Sequence, residues 1–309
     1  MRALIVTPSP PGANSGNRVT ALRWAKRLRE LGHRVAIATE WRGEPCDVLV
    51  ALHAVKSHDS LARHAREQPR RPRVLALTGT DVYGALDDAA TRESLALATR
   101  VIVLQPRALA LVPGARAIYQ SAVAARPEPQ PPFTACVLAH LRDVKAPLLA
   151  ADAVARTDGV HVVHLGGASD PAWAERAREA ERASGGRWRW LGARPRQEAL
   201  AILAGSHALV VSSKTEGGAN AVTEAIAAGV PVISSRIDGS LGILGDDYPG
   251  YFDVGDAHGL AALLARCAGD PAFSADLRAR VIALRPLVDP ARERESWRRL
   301  LGELTRRAD

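Results

Sequence analysis

Two glutamates flank a glycine-rich turn in the second half of the chain. The stretch SSKTEGGANAVTEAIAAGVPVISS begins at Ser212 and places Glu216 just before the turn and Glu224 after it, with seven residues between them. Gly217 and Gly218 allow the backbone to approach a ligand closely and to adopt positive φ. A carboxylate on each side of such a turn suits a ligand that carries hydroxyl groups.

The residues after the glycines predict a helix whose first turn can bind phosphate. Ala219 completes the turn, and Asn220 is a good N-cap for a helix that runs to about Ala228. The free N–H groups in the first turn of a helix form an anion site suited to phosphate. Glu224, one turn into this helix, can accept two neighbouring hydroxyls, as on a ribose. Glu216 lies within reach of the group that the phosphate carries.

A simpler interpretation of the same residues needs no ligand. Glu224 can merely complement the helix dipole, and Glu216 can be a surface residue. Spacing alone does not separate the two interpretations, because many chains contain such pairs by chance. The glycine turn lies between two predicted strands, and this context favours binding.

Predicted strands and helices alternate along the chain around the turn. RALIVTP is a short apolar run typical of a buried parallel strand, and RVAIATE, DVLVAL, RVLALTG and RVIVLQ repeat the pattern. The segment NRVTALRWAKRLRELGH predicts a helix that stops at Gly32. Its expected apolar face consists of residues at intervals of three: Val19, Leu22, Ala25, Leu28 and Leu31. Such alternation predicts a parallel sheet covered on both faces.

A proline-rich segment divides the chain into two halves, and strands and helices alternate in each half. RPEPQPP can continue neither a helix nor a central strand, so we predict a linker at residues 127–132. The predicted fold class is α/β, with two Rossmann-like doubly wound domains, residues 1–126 and 133–285, facing across a cleft. An amphipathic C-terminal helix in residues 286–309 is expected to pack back toward the N-terminal domain. Ligands of doubly wound sheets lie beyond the carboxyl ends of the strands, where the glycine turn falls.

The composition is that of a globular protein with a basic surface. The 309 residues are 47% hydrophobic and 24% charged, and the formal net charge is +8. This basic excess indicates either a solvated surface or a pocket for anionic substrates. Aromatic residues make up only 4% of the chain, and no basic stripe is interleaved with them. Nucleic acid is therefore not expected as a partner.

Cysteine usage and hydropathy point to the cytoplasm. Cys46, Cys136 and Cys267 lie far apart and form no metal-binding or redox spacing, so we expect buried free thiols of a reducing compartment. The N-terminal apolar run is too short for a signal peptide, and no stretch is long enough to span a membrane. We therefore expect a cytoplasmic protein.

The C-terminal half resembles a family of nucleotide-sugar glycosyltransferases with the GT-B fold, the family 4-like retaining type that carries a Glu-x7-Glu motif. The resemblance implies that Glu224 holds the ribose of a UDP-sugar. It implies that Glu216 and the turn at residues 217–220 contact the transferred sugar and the diphosphate. It also implies that the backbone of Ala193, in the loop after RWRWLG, contacts uracil.

The same resemblance implies a basic pair that neutralises the diphosphate. The matching segment is AHLRDVK, in which Lys145 matches the lysine of the family. His140 occupies the position of the arginine, and Arg142 can substitute for it, so either side chain can contact the phosphates. The N-terminal glycine loop of the family matches GANSGN, which includes Gly16 as a donor-binding residue.

The leaving group is expected to be stabilised without a metal or another cofactor, because the sequence has no DxD-like motif in a suitable loop. Fixed cations and helix amides then carry the charge of the leaving diphosphate. The candidate catalytic residues are Lys145, Arg142 and Glu216.

A narrower resemblance extends over nearly the whole chain. SGNRVTALRWAKRLRELGHRV, LTGTDVY, SLALATRVIVLQP, HLRDVK, RWLG, EGGAN and DYPGYFDVGD occur in this order. Together they resemble the selenosugar synthases of selenoneine biosynthesis. This resemblance implies transfer of N-acetylglucosamine from UDP-GlcNAc to selenophosphate, with formation of a carbon–selenium bond and release of UDP and phosphate.

A selenophosphate acceptor needs a cationic site rather than a strong general base, because its selenium is already anionic. The candidate acceptor-binding residues lie in the N-terminal domain: Asn17, Arg18, His53, Lys56, Thr80 and Asp81. Arg18 heads a helix, where a cation opposes the helix dipole, so it is either kept for a ligand or simply a surface arginine. His53 can also be a structural hydrogen bonder. Asp81 either orients a sugar hydroxyl or caps the next segment.

Three other functions fit the same motifs. A retaining glycosyltransferase of this fold can act on an alcohol or a lipid acceptor. A UDP-sugar 2-epimerase needs no second substrate and releases a free epimerised sugar. A non-catalytic UDP-sugar-binding protein binds the nucleotide sugar without releasing UDP. Incubation with UDP-GlcNAc, with and without an acceptor, separates these functions.

Overall fold

The structure of the protein is a computed structural model that describes residues 1–131 and 133–305. Pro132, the last residue of the predicted linker, and residues 306–309, the end of the predicted C-terminal helix, lie outside the described residues. The described chain divides into two units. The first holds Met1–Ser121, Glu216–Gly218 and the described part of residues 289–309, and the second holds the described residues of Ala122–Thr215 and Ala219–Val288.

The first unit is built on a six-stranded parallel sheet. Its strands are β1 (Arg2–Val6), β2 (Arg34–Ala38), β3 (Val48–Leu52), β4 (Arg73–Ala76), β5 (Arg100–Val103) and β6 (Arg116–Ala117). They lie in the order β2-β1-β3-β4-β5-β6, and each neighbouring pair is parallel. Its helices are α1 (Gly16–Glu30), α2 (His58–Glu67), α3 (Thr80–Tyr83), α4 (Ala89–Leu97) and α12 (Pro290–Thr305), with a 3-10 helix at Pro106–Ala110.

Apolar residues on the two faces of this sheet form two separate cores. Successive residues of β3 enter different cores, as Leu49 and Val50 do, because side chains of a strand alternate between faces. Trp24 of α1 and Trp297 of α12 are buried in one core, and Leu61 of α2 is buried in the other. The sheet is therefore covered by helices on both faces, as the alternation of strands and helices predicts.

The apolar face of α1 differs from the predicted one. The helix ends at the expected place, where Gly32 takes a φ of +83°. Leu22, a member of the predicted face, is 49% exposed, whereas Ala21, Trp24 and Leu28 are buried. An interval of exactly three residues drifts by about 60° per step around a helix of 3.6 residues per turn. Intervals of three and four must therefore alternate along a buried face, and the prediction for Leu22 is wrong.

The second unit repeats the same architecture. Its strands are β7 (Thr134–Leu138), β8 (His161–Leu165), β9 (Trp188–Gly192), β10 (Ala208–Val211), β11 (Val232–Ser235) and β12 (Tyr251–Phe252), in the all-parallel order β12-β11-β10-β7-β8-β9. Its helices are α5 (Leu149–Val154), α6 (Pro171–Ala183), α7 (Arg196–Gly205), α8 (Asn220–Ala228), α9 (Asp238–Leu244), α10 (Ala257–Gly269) and α11 (Pro271–Ala283), with 3-10 helices at Asp143–Lys145 and Arg285–Val288. Among the described residues of both units, no helix combines the length and apolar character needed to cross a membrane.

The strand order reverses once in each sheet. In the first unit, β2 and β3 lie on opposite sides of β1, so the loops after β1 and β3 border the switch point. In the second unit, β8 and β10 lie on opposite sides of β7, so the loops after β7 and β10 border it. Doubly wound sheets bind ligands at such switch points. The turn that begins at Glu216 follows β10, and the segment with Lys145 follows β7.

The three cysteines are buried free thiols, as predicted. Burial raises the pKa of Cys46 to about 11 and that of Cys267 to about 12. Burial also raises the pKa of Cys136, which is completely buried in β7. Because a thiol must lose its proton to react as a nucleophile, these cysteines have packing roles rather than chemical ones.

The C-terminal helix α12 is anchored to α1 through a buried carboxylate. Glu293 is 2% exposed and accepts hydrogen bonds from Nε1 of Trp24 at 2.9 Å and from Nε of Arg23 at 3.2 Å. The hydroxyl of Ser121 donates to its other oxygen, and Nε of Arg27 lies 3.9 Å from the same carboxylate. The predicted packing of the C-terminal helix against the N-terminal domain is confirmed.

Glu293→Ala is expected to lower the free energy of unfolding by about 3–5 kcal/mol, because it leaves buried cations without their carboxylate. Urea unfolding followed by circular dichroism measures this loss. The matched control is Glu295→Ala on the same helix, because Glu295 pairs with Arg298 and Arg299 at the surface and should matter little. Wild-type stability of the Glu293 variant would show that this carboxylate does not anchor α12.

Candidate active site

Hydrogen bonds join the loops after β7 and β10, on the two sides of the switch point in the second unit. The hydroxyl of Ser212, just after β10, donates to the carbonyl oxygen of Lys145 at 2.9 Å. The N–H of Lys214 donates to the carbonyl oxygen of Val144 at 2.8 Å, and its Nζ lies 2.8 Å from the carboxylate of Asp143. The segment that carries Lys145 is therefore fixed beside the chain that leads into Glu216.

The predicted basic residues of this segment differ in exposure. Arg142 is exposed and precedes the 3-10 helix, whereas Lys145 ends it and is half-buried. Ala146, the next residue, takes a left-handed φ of +41°, which turns the chain back toward α5. Both cations follow the carboxyl end of β7, which borders the switch point of the second unit.

His140, which follows β7, is bonded to the loop after β8. Its Nδ1 accepts a hydrogen bond from the N–H of Gly167, at 3.1 Å, in the loop after β8. A Cβ placed on Gly167 would lie 3.6 Å from the Cβ of Ala193, which follows β9. The structure therefore brings the predicted residues His140 and Ala193 together. The histidine that departs from the family pattern has a structural bond that an arginine at this position could not accept.

Glycine is required at position 166, at the start of the loop after β8, for a steric reason. A Cβ on Gly166 would lie 1.9 Å from the carbonyl oxygen of Ala139, and Gly166 has a φ of +154°. The same carbonyl oxygen accepts a hydrogen bond from Nε2 of His164 at 2.8 Å. Burial lowers the pKa of His164 to about 4, so this histidine is neutral and serves to hold the loop.

The glycines of the turn after β10 do not adopt positive φ, so that prediction is wrong. They are needed because other backbone lies against them. A Cβ on Gly217 would be 2.6 Å from the N of Gly79 and 2.6 Å from the carbonyl carbon of Thr78. A Cβ on Gly218 would be 2.6 Å from the Cβ of Leu104. Residues Glu216–Gly218 belong to the first unit, and the absence of a Cβ at Gly217 and Gly218 allows this fit.

The predicted N-cap role of Asn220 is also wrong. Helix α8 begins at Asn220 itself, and the N-cap position is Ala219, which has no side chain able to cap the helix. The helix ends at Ala228 as predicted, where Gly229 takes a φ of +73°. The helix dipole is positive at this end, so the first turn of α8 suits an anion.

Glu224 is buried on α8 and paired with Arg196, which is not among the residues predicted for the site. Its side chain is 6% exposed, and its Oε1 accepts a hydrogen bond from Nη2 of Arg196 at 2.6 Å. Arg196 is the first residue of α7, where a cation opposes the helix dipole. A cation at the start of a helix is also the feature that singles out Arg18. The same criterion, applied to the segment RQEALAILAGS, identifies Arg196 as a candidate site residue.

Asp81 organises the carboxyl ends of β3 and β4 in the first unit. The side chain has no exposed surface, and its carboxylate accepts three backbone hydrogen bonds. The donors are the N–H groups of Ala54 at 3.0 Å, Thr78 at 3.0 Å and Gly79 at 2.7 Å. Of the two roles considered for Asp81, the structure shows the one in which it caps backbone; contact with a substrate stays a prediction.

His53 occupies a strained position beside this carboxylate. Its φ of +76° lies in the left-handed region, which a residue with a side chain adopts only where the surroundings enforce it. Its Nε2 lies 3.3 Å from Oγ1 of Thr80, and its Nδ1 lies 3.8 Å from Asp81. Burial lowers the pKa of His53, the carboxylate of Asp81 opposes this effect, and Lys56 adds to it. His53 therefore acts at neutral pH as a hydrogen-bonding group and not as a cation.

The remaining acceptor candidates lie at the ends of β1 and β3. Asn17 and Arg18 belong to the first turn of α1, directly after Gly16, and both are half-buried. Ser15 caps this turn, because its hydroxyl accepts from the N–H of Arg18 at 3.2 Å and donates to Ser9 at 2.5 Å. Lys56 is exposed, and its N–H faces Nδ1 of His53 at 3.5 Å. These residues border the switch point of the first unit.

Metal binding by the protein alone has no obvious site in the part of the chain that the structure describes. In residues 1–131 and 133–305, no three His, Cys, Asp or Glu side chains are grouped so that they could hold a metal ion. Catalysis without a metal stays a prediction.

Known structures share this architecture over almost the whole chain. HepE of Anabaena, solved with UDP and glucose, matches with a TM-score of 0.80 and 16% identity, over 98% of this chain and 100% of that one. Sucrose-phosphate synthase of Thermosynechococcus elongatus matches with a TM-score of 0.80 and 17% identity, over 98% of each chain. A glycosyltransferase of Rickettsia africae matches with a TM-score of 0.72 and 13% identity, also over 98% of each chain.

These likenesses define the fold as that of the GT-B glycosyltransferases, as predicted. Residues 121–283, more than half of the chain, match the family described as Glycosyl transferases group 1. The protein belongs to this family.

Gly217→Ala is expected to destabilise the protein by roughly 1–3 kcal/mol, because the added methyl overlaps backbone of Thr78 and Gly79 that cannot rotate away. Thermal unfolding measures the effect. Gly302→Ala in α12 is the control, since open space surrounds that position and alanine favours a helix. Equal stability of the two variants would contradict the steric account of Gly217.

Proposed function

We propose that this protein transfers a sugar from a UDP-sugar donor. The observation that carries the proposal is Glu224, a buried and charge-paired carboxylate on the helix that follows the glycine turn at the switch point of the second unit. A carboxylate held in this way suits a ribose diol, and the positive end of the α8 dipole suits a diphosphate. Membership of the group 1 glycosyl transferases supports the reaction class. Solved structures of HepE with UDP and with UDP-glucose support the choice of donor.

In this proposal each of the predicted donor-binding residues contacts a different part of the donor. Glu224 binds the ribose hydroxyls, and the backbone of Ala193 contacts uracil. The amides at the start of α8 bind the diphosphate. Glu216 contacts the transferred sugar, whose hydroxyls are suitable donors to a carboxylate.

The chemical step needs stabilisation of the leaving diphosphate. Breaking the bond to the anomeric carbon places negative charge on UDP and positive charge on the sugar ring. Lys145 and Arg142, with the helix amides, stabilise the first of these charges as groups already in position before the reaction. One such donor typically contributes roughly 10²–10³ in turnover. Either His140 or Arg142 acts beside Lys145, and the bond from Gly167 to His140 favours Arg142, which is exposed.

We propose further that the donor is UDP-GlcNAc and that the acceptor is selenophosphate. The support is the ordered set of motifs shared with selenosugar synthases along nearly the whole chain. A selenium lone pair attacks the anomeric carbon, the carbon–selenium bond forms, and the electron pair of the broken carbon–oxygen bond leaves with UDP. Water then cleaves the selenium–phosphorus bond, which releases phosphate and leaves the selenosugar.

The acceptor site is assigned to the first unit, at the ends of β1, β3 and β4. Arg18 and Lys56 supply positive charge for an anion that carries two to three negative charges, and Asn17 and Thr80 supply hydrogen-bond donors. His53, neutral because of its burial, contributes a hydrogen bond. Asp81 acts by holding the loops in place, since its carboxylate would repel the acceptor.

The proposal predicts release of UDP and formation of a selenosugar only when UDP-GlcNAc and selenophosphate are both present. Chromatography of UDP and mass spectrometry of the sugar products measure this, with parallel reactions that contain thiophosphate or no acceptor. The same reaction in EDTA should keep most of its activity, because the charge on UDP is assigned to Lys145, Arg142 and helix amides.

Each other outcome identifies a different function. A free epimerised sugar from UDP-GlcNAc alone would indicate a 2-epimerase, and binding without release of UDP would indicate a non-catalytic protein. Transfer to an alcohol or a lipid in place of selenophosphate would support the proposed glycosyltransferase activity. It would contradict selenophosphate as the acceptor. Loss of activity in EDTA with recovery on adding magnesium or manganese would overturn the metal-independent mechanism.

Arg18→Ala is expected to raise the KM for selenophosphate roughly ten- to hundredfold, since a charge-assisted hydrogen bond contributes about 1.5–3 kcal/mol. The KM for UDP-GlcNAc should change far less. Lys26→Ala is the control, because Lys26 is exposed on the same helix. Steady-state kinetics with each substrate varied measure both constants. Equal changes in both KM values would indicate that Arg18 acts in the donor site or in the stability of the fold. An unchanged KM for both substrates would indicate that Arg18 is a surface residue without a role in binding.

A further inference from the structure

Arg196 contacts the carboxylate on which the proposed ribose site depends. Its Nη2 lies 2.6 Å from Oε1 of Glu224, a short charge-assisted hydrogen bond. The side chain of Arg196 is 43% exposed, whereas that of Glu224 is 6% exposed. The pair therefore connects the interior of the second unit, where the anion lies, with its surface, where the cation lies.

The position of Arg196 is unfavourable for its own helix. Arg196 is the first residue of α7, where the dipole repels a cation, and Pro195 in the N-cap position offers no side-chain cap. Glu198 in the same turn could compensate the charge, yet it pairs with Arg194 at 3.4 Å. The charge of Arg196 is thus compensated on another helix, by Glu224 of α8.

The pairing determines which form of Glu224 a ligand meets. Burial favours the neutral form of a carboxyl group, and a neighbouring cation favours the ionised form. An ionised carboxylate only accepts hydrogen bonds, at both oxygens, whereas a neutral carboxyl group also presents a donor. The 2′ and 3′ hydroxyls of a ribose can both donate to the ionised form. Each carboxylate oxygen has two lone pairs, so Oε1 can accept from Arg196 and from a hydroxyl together.

We propose that Arg196 is a positioning residue for donor binding, which keeps Glu224 ionised and oriented toward the two ribose hydroxyls. This inference rests on the proposed use of a UDP-sugar and extends it to a residue outside the motifs that indicated the donor site. Its consequence is selectivity: Arg196 determines how strongly the protein prefers a ribonucleotide to the same nucleotide without ribose hydroxyls.

The test measures binding of UDP and of 2′,3′-dideoxy-UDP by calorimetry. Wild-type protein should prefer UDP. Arg196→Ala should weaken UDP binding roughly ten- to hundredfold, which corresponds to the loss of one charge-assisted hydrogen bond. It should leave binding of the dideoxy analogue almost unchanged, because that analogue has no hydroxyl for Glu224. Arg196→Lys, which retains the charge without the planar fork, should recover part of the preference.

Arg280→Ala is the matched control. Arg280 lies on α11 of the same unit, is 46% exposed and pairs with Asp276 at 2.9 Å, so its removal should leave both affinities unchanged. Thermal unfolding of each variant shows whether it is folded, and Arg196→Gln replaces the alanine variant if that one is not.

Three outcomes would overturn the role of Arg196. These are an unchanged UDP affinity in Arg196→Ala, equal losses for UDP and the dideoxy analogue, and a gain in UDP affinity, which would mean that Arg196 competes with the ribose. A wild-type protein that binds no UDP would instead overturn the proposed function, and the role of Arg196 with it. The preference of the wild-type protein for UDP over the dideoxy analogue thus tests the proposed function. The change of this preference in Arg196→Ala tests the role of Arg196.

Discussion

A carboxylate that is removed from water must be compensated by cations or by hydrogen-bond donors, and three junctions of this protein depend on that constraint. Asp81 gathers backbone N–H groups from the loops after β3 and β4. Glu293 joins α12 to α1, and Glu224 joins α8 to α7. Each acidic side chain fixes two segments of the chain in one arrangement. The loops that form the candidate site are therefore held by the protein itself before any substrate arrives.

Most of the fold can be predicted from the sequence because its signals are local. An apolar run of four or five residues followed by a helical pattern identifies a parallel strand and its crossover, and this pattern recurs in both units. The exceptions are β6 and β12, which are two residues long and leave no periodic signal. The predicted face of α1 is wrong at Leu22, because an interval of three residues only approximates a helical turn.

The candidate site is predictable in outline and not in its contacts. The motifs fall on the loops that border the two switch points, since those loops follow the strands that the sequence reveals. The reason for a particular residue type is a contact with a distant part of the chain. Gly217 is a glycine because Thr78 and Gly79 lie against it, and His140 accepts from Gly167. No pattern within one segment can reveal such partners.

The anchoring of α12 also determines the order in which the protein can be completed during synthesis. Arg23 and Glu293 are 270 residues apart in the chain, yet they belong to the same unit. A ribosome that adds about 5–20 residues per second needs roughly ten to thirty seconds to pass from residue 121 to residue 293. For that interval the face of α1 that carries Trp24 lacks its covering helix. Until the second unit has been synthesised, the first unit therefore exposes apolar surface to which chaperones or other nascent chains can bind.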